Sequence, residues 1–179
     1  MSTETLKHLD QQEIALAISK LQSLGKDISQ PVPQGTFVFH ANFDGTNNTA
    51  TDPSYSDDKY PTAVGELQFY FNTNLSENAD YGYYPGVGTF GTEPDSRVFP
   101  AVQAIATAED AYTEFSEKAS AWLAENPRGE ITTMISCFSR GAAAAAIFSH
   151  LLYDRGLIDP DNPDNTLIPP GRIGVSAGL

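Results

Sequence analysis

Residues 130–146 read EITTMISCFSRGAAAAA, and this stretch decides the fold. Glu130 to Cys137 is rich in β-branched and apolar residues, which suit a pleated, half-buried surface, and it predicts a strand. Arg140 to Arg155 predicts a helix, with Gly156 as the residue just past its end. Between them stands Cys137-Phe138-Ser139-Arg140-Gly141. A strand that turns sharply into a helix on a G-x-S-x-G pattern presents its serine at the apex of the turn. The backbone there is strained, so the residues two positions to either side must be small. Gly141 meets that need, and Cys137 stands where the pattern has glycine, with a side chain small enough to fit. The alanines at 142–146 let the helix approach the strands closely. Its N-terminus then aims backbone N–H groups at the serine, a natural place for developing negative charge. In this reading Ser139 is a nucleophile and the Arg140 N–H one oxyanion-hole donor. The alternative is a plain strand–turn–helix with an incidental serine. Cys137, at the strand end rather than the apex, makes a poor nucleophile.

Working outward, Thr36 to Phe43 (TFVFHANF) predicts a buried strand that ends in the polar cluster Asp44-Gly45-Thr46-Asn47-Asn48. A long surface loop over 49–61 leads to a short helix, Gly65 to Leu75. Ala79 to Tyr84 predicts a second strand, closed by Pro85-Gly86-Val87-Gly88. A long helix follows from Phe99 to Glu125, with Val102, Ile105, Ala106, Ala111, Phe115, Ala119 and Trp122 on its apolar side. Downstream, Asp159 to Gly171 reads as a Pro/Asn/Asp loop and Arg172 to Leu179 as a further strand. At the N-terminus, Asp10 and Glu13 form a capping box before apolar residues at helical spacing, and Pro31 and Pro33 mark a linker. The organisation is therefore a helix and linker over 1–34 and a core over 35–179. Strands alternating with long helices predict an α/β fold with a mainly parallel sheet, whose chemistry sits at the C-terminal strand ends.

The chain has 23 acidic and 10 basic residues, a formal charge of -13, which repels phosphate backbones and argues against a nucleic-acid partner. The same charge opposes simple attraction to anionic membranes, though an apolar lip around a pocket would still meet lipid. One cysteine, Cys137, excludes an intramolecular disulfide and a cysteine-based zinc site. No basic start followed by an apolar run marks a secretory signal, and no stretch predicts a transmembrane helix. The expectation is a protein made in the cytoplasm, whose export would use a contact-dependent system that reads no such signal.

Three stretches now fall into one pattern: Phe43-Asp44-Gly45-Thr46-Asn47, Tyr84-Pro85-Gly86-Val87-Gly88-Thr89 and Phe138-Ser139-Arg140-Gly141-Ala142. In this order and approximate spacing they resemble the α/β-hydrolase family that includes the type VI secretion lipase effectors, with its F-D-G-T-x-N, Y-x-x-G-V-G-T and G-F-S-R-G-A motifs. The likeness runs over about residues 37–156. It implies a three-layer fold with helices on both faces of the sheet. It also implies a serine ester hydrolase, in several members a phospholipase, injected into rival bacteria. Lipid or another ester would be the substrate, and a secretion apparatus or an immunity protein the partners. Cys137 departs from the family's glycine. A larger departure is the triad, whose chain order in this fold is Ser, then Asp or Glu, then His. After Ser139 the one histidine is His150, down the same helix and roughly 15 Å away at 1.5 Å per residue, too far for a hydrogen bond. The acid and the base are therefore expected outside this chain, which makes the hydrolase core incomplete. The rival expectation is a catalytically incomplete scaffold that serves as a binding or adaptor module.

Other candidates weigh less. His8 and His40 suit surface and structural roles. Asp44-Gly45-Thr46 offers backbone N–H groups for a second oxyanion-hole donor, with a tight Asx turn as the alternative. Gly86-Val87-Gly88-Thr89-Phe90-Gly91 matches G-x-G-x-x-G, but Pro94 follows and Glu109 and Asp110 fall mid-helix, so a packing turn is the better reading than a dinucleotide site. Asp44, Asn47, Asn48, Asp52, Asp57 and Asp58 form an oxygen-rich stretch without EF-hand spacing, read as a solvated acidic loop. No metal and no cofactor is expected.

Overall fold

The computed structural model describes residues 35–50, 61–89 and 100–178, all within the unit that spans Val32–Leu179. The sequence-predicted N-terminal helix, His8, and the acidic residues Asp52, Asp57 and Asp58 lie outside the described residues. In chain order the elements are β1 (Thr36–Phe43), α1 (Ala63–Asn74), β2 (Ala79–Tyr84), α2 (Pro100–Glu125), β3 (Glu130–Cys137), α3 (Gly141–Arg155), β4 (Leu157–Asp159), β5 (Asn162–Ile168) and β6 (Gly174–Gly178). Four strands form one parallel sheet in the order β2-β1-β3-β6.

β1 is central and buried from Phe37 to Phe43, as a strand covered on both faces must be. Its odd positions carry Phe37, Phe39, Ala41 and Phe43, and these meet α2 and α3: Phe39 packs on Phe115 at 5.7 Å and Phe43 on Phe148 at 5.7 Å. On the opposite face His40 lies against Phe71 of α1 at 4.4 Å. The sheet is thus flanked by helices on both sides. Each buried phenylalanine or leucine contributes roughly 1.5–3 kcal/mol. Cation–carboxylate pairs then fix α2: Arg155 grips Glu109 through two contacts of 2.7 Å, and Lys118 reaches Asp80 at 2.9 Å and Glu114 at 2.8 Å.

Two expectations need correction. Val102 and Ile105, assigned to the apolar side of α2, are 62% and 50% exposed. Ala106 is exposed too, whereas Ala111, Phe115 and Ala119 are buried as expected, and the stripe continues toward the N-terminus through Ala108 and Ala104. These alanines, with Ala144 and Ala145 of α3, allow close helix packing, but alanine carries a weak hydrophobic signal and the larger residues drew the assignment off face. The second correction concerns residues 159–171, read as a loop. β4 and β5 form an antiparallel hairpin around Pro160-Asp161, closed by Asp161 N–H donating to Asp159 Oδ1 at 3.0 Å. β5 is exposed from Asn162 to Thr166, so its polar composition suits a solvent-facing strand. Among the described residues no helix is long and apolar enough to cross a membrane.

Burial has one measurable consequence. It pushes the His40 imidazole down from 6.5 to about 4, so the folded state prefers the neutral ring. The unfolded chain then binds more protons between those values, and stability present above pH 6.5 is lost as pH falls toward 4. His40→Leu is expected to remove roughly 2–3 kcal/mol of the stability difference between pH 7 and pH 4.5. Urea titrations of both proteins at the two pH values check this; parallel losses would show that His40 does not set the acid limit.

Candidate active site

β1 and β3 pair in parallel with Phe43 opposite Cys137, so both strands end at the same place. The Phe138 N–H donates to Phe43 O at 3.0 Å and extends the ladder by one step. There the chain reverses into α3, and Ser139 takes a left-handed backbone with φ 52 and an exposed side chain. A non-glycine residue in that region costs about 1–2 kcal/mol and persists where its surroundings fix it. Here three amides just downstream fix it: Gly141 N–H donates to Phe138 O at 2.9 Å, Ala142 N–H to Ser139 O at 3.1 Å, and Ala143 N–H to Arg140 O at 3.1 Å. Gly141 is required by space, since a Cβ there would lie 2.5 Å from both Phe43 O and Asp44 O.

Arg140 sits at the N-terminus of α3, its side chain exposed and making no cap. Among the described residues neither its N–H nor Ser139 Oγ has a hydrogen-bond partner. Cys137 is half-buried with Sγ 3.9 Å from Gly178 O, and burial pushes its thiol up, away from the thiolate a nucleophile needs.

The turn after β1 stands beside this elbow. A Cβ on Gly45 would come within 3.2 Å of Ser139 Cβ and 2.5 Å of the Phe138 ring. Of the three amides expected to offer an oxyanion donor, two are engaged: Asp44 N–H donates to Tyr84 O at 2.9 Å, and Gly45 N–H to Asp44 Oδ1 at 2.7 Å. The first continues the β1–β2 ladder and the second is a local turn bond. Thr46 is the remaining member, and its Oγ1 is buried with no partner among the described residues. Asp44 is 2% exposed, its carboxyl also receiving Thr62 Oγ1 at 2.7 Å and Tyr83 OH at 2.6 Å. Burial and this bond push the Tyr83 hydroxyl up, so it stays a donor. Thr62 and Tyr83 escaped the sequence reading; the signal for Thr62 was its spacing from Gly65, whose N–H it caps at 3.0 Å.

The glycine turn after β2 braces the same loop. Gly86 N–H donates to Asn48 O at 2.9 Å and Asn47 N–H to Val87 O at 3.0 Å, with Asn47 itself left-handed at φ 57. Gly86 to Thr89 thus make a packing turn against the 44–48 loop, and Phe90 and Gly91 of the G-x-G-x-x-G stretch lie outside the described residues.

The histidines do not reach Ser139. His40 pairs with Met134 across the sheet, five residues before the serine, about 16 Å at 3.3 Å per residue. His150 is 71% exposed on α3 and meets Asp154 at 3.0 Å. Among the described residues no group of three or more His, Cys, Asp or Glu side chains is placed to hold a metal ion. A small cavity of about 10 Å³ lies under the elbow between Tyr84, Val87, Thr107 and Arg140. Larger clefts lie elsewhere, one of about 610 Å³ between α2 and the hairpin and one of about 470 Å³ at the opposite ends of the strands. Compared with protein-family models, curated proteins and solved structures, the chain matches none.

Proposed function

We propose that this chain is the nucleophile-bearing part of a serine ester hydrolase with an α/β-hydrolase-like core, lipolytic in kind, similar to the type VI secretion lipase effectors. The observation that carries the reading is the left-handed, exposed Ser139 at the junction of a parallel strand and a helix N-terminus. In the proposed reaction Ser139 Oγ attacks the acyl carbonyl carbon and its proton passes to a histidine supplied from outside the described residues. The oxyanion that forms accepts the Arg140 N–H, with Thr46 as the second donor. Collapse expels the alcohol, which takes the proton from the histidine, and water then frees the acyl group by the reverse sequence. Delivery through a contact-dependent apparatus and restraint by an immunity protein belong to the same proposal. No cofactor takes part in it.

A second reading, a hydrolase-derived scaffold that binds without catalysis, is favoured by one observation: Ser139 Oγ has no base beside it among the described residues. The experiment that separates the two is ester turnover by the full-length protein with and without Ser139→Ala. Serine-dependent turnover supports the enzyme. Turnover that survives the substitution, or none with any ester offered, supports the scaffold.

A further inference from the structure

We propose that Asp44 is a positioning residue for the nucleophile turn, its buried carboxyl locking the strand-end turn at 44–46 against Ser139. The inference rests on the reading of Ser139 as the nucleophile. Three donors from three places converge on this one carboxyl: the Gly45 N–H of its own turn, Thr62 Oγ1 at the N-cap of α1, and Tyr83 OH of β2. None is a cation, and no ion pair reaches Asp44 among the described residues. Burying a carboxyl without a counter-charge is costly, and an apolar side chain would close the same gap more cheaply.

What the carboxyl adds is directional hold. Thr62 Oγ1 also accepts Gly65 N–H at 3.0 Å, and Tyr83 OH accepts Ala50 N–H at 2.8 Å, so each donor to Asp44 is itself tied to the backbone. The far side of the same turn touches the elbow, through Gly45 against Ser139 and through Asp44 O against Gly141. A shift of the carboxyl therefore becomes a shift of the oxyanion site relative to the nucleophile. Misplacement by about 1 Å at such a site costs on the order of a hundredfold in rate.

The test is Asp44→Asn, which keeps the shape but turns an N–H₂ donor toward Tyr83 OH, a donor already. Two measurements on the full-length protein decide it. In crystal structures of the two proteins, residues 44–46 are expected to move away from Ser139 by about 1 Å, with the sheet unchanged. In ester assays kcat is expected to fall about 10- to 100-fold while KM stays within about twofold, since the loss falls on the transition state. An unmoved turn, an unchanged kcat, or a loss that follows only the unfolded fraction would overturn the proposal. Should Asp44→Asn fail to fold, Tyr83→Phe removes one donor and is read in the same way with a smaller shift. Should the unaltered protein hydrolyse no ester, the proposed function fails, and the crystal comparison alone decides whether Asp44 holds the turn.

Discussion

Ser139→Ala in the full-length protein is expected to lower ester turnover by roughly 10⁴- to 10⁶-fold, because nucleophile, base and acid act as a unit. Neither His40 nor His150 lies near Ser139 Oγ, so the base of this unit is to be sought outside the described residues. Stability should move the other way from activity. Ser139 holds a left-handed backbone that glycine adopts freely, so Ser139→Gly is expected to stabilise the fold by up to about 1 kcal/mol. Initial rates with a short-chain p-nitrophenyl ester and thermal melts of the same samples check both parts. Turnover that survives Ser139→Ala would remove this serine from the mechanism.

Gly141→Val is expected to cost roughly 3 kcal/mol or more and to abolish the elbow. The new Cβ would stand 2.5 Å from two backbone oxygens, Phe43 O and Asp44 O, and neither can swing away as a side chain does. Gly45→Val differs in kind. Its nearest neighbour is the Phe138 ring, 49% exposed and free to turn outward, so the fold should survive while the space beside Ser139 fills. Urea midpoints of the two variants check the contrast; equal losses would mean that the Phe138 ring is as fixed as the backbone.

β1, β2 and β3 were legible to the residue, because each is bounded by Gly, Pro or Asp and filled with β-branched or aromatic residues. Their parallel pairing followed from the helices between them. The elbow was legible for a related reason, since Ser139-x-Gly141 between strand and helix leaves the chain few ways to turn. The buried side of α2 was legible from Ala111 onward but not before it, because alanines at 104 and 108 do the packing there and read as neutral beside Val102 and Ile105. Nor was the β4–β5 hairpin, whose polar strand gains its pairing from Leu157 and Ile168 at one end. At the site, the neighbourhood of Asp44-Gly45-Thr46 and Ser139 followed from topology. Which amides were already committed did not, because Asp44 bonds its own turn, and Thr62 and Tyr83 meet it from 18 and 39 residues away.

The most direct test of the account is covalent capture of the nucleophile. The protein is treated with an alkyl fluorophosphonate, digested, and mapped by mass spectrometry. The account predicts one adduct per molecule on Ser139, in the peptide containing Cys137-Phe138-Ser139-Arg140, and none after Ser139→Ala. An adduct on another serine that survives Ser139→Ala, or serine-independent ester turnover, would contradict it.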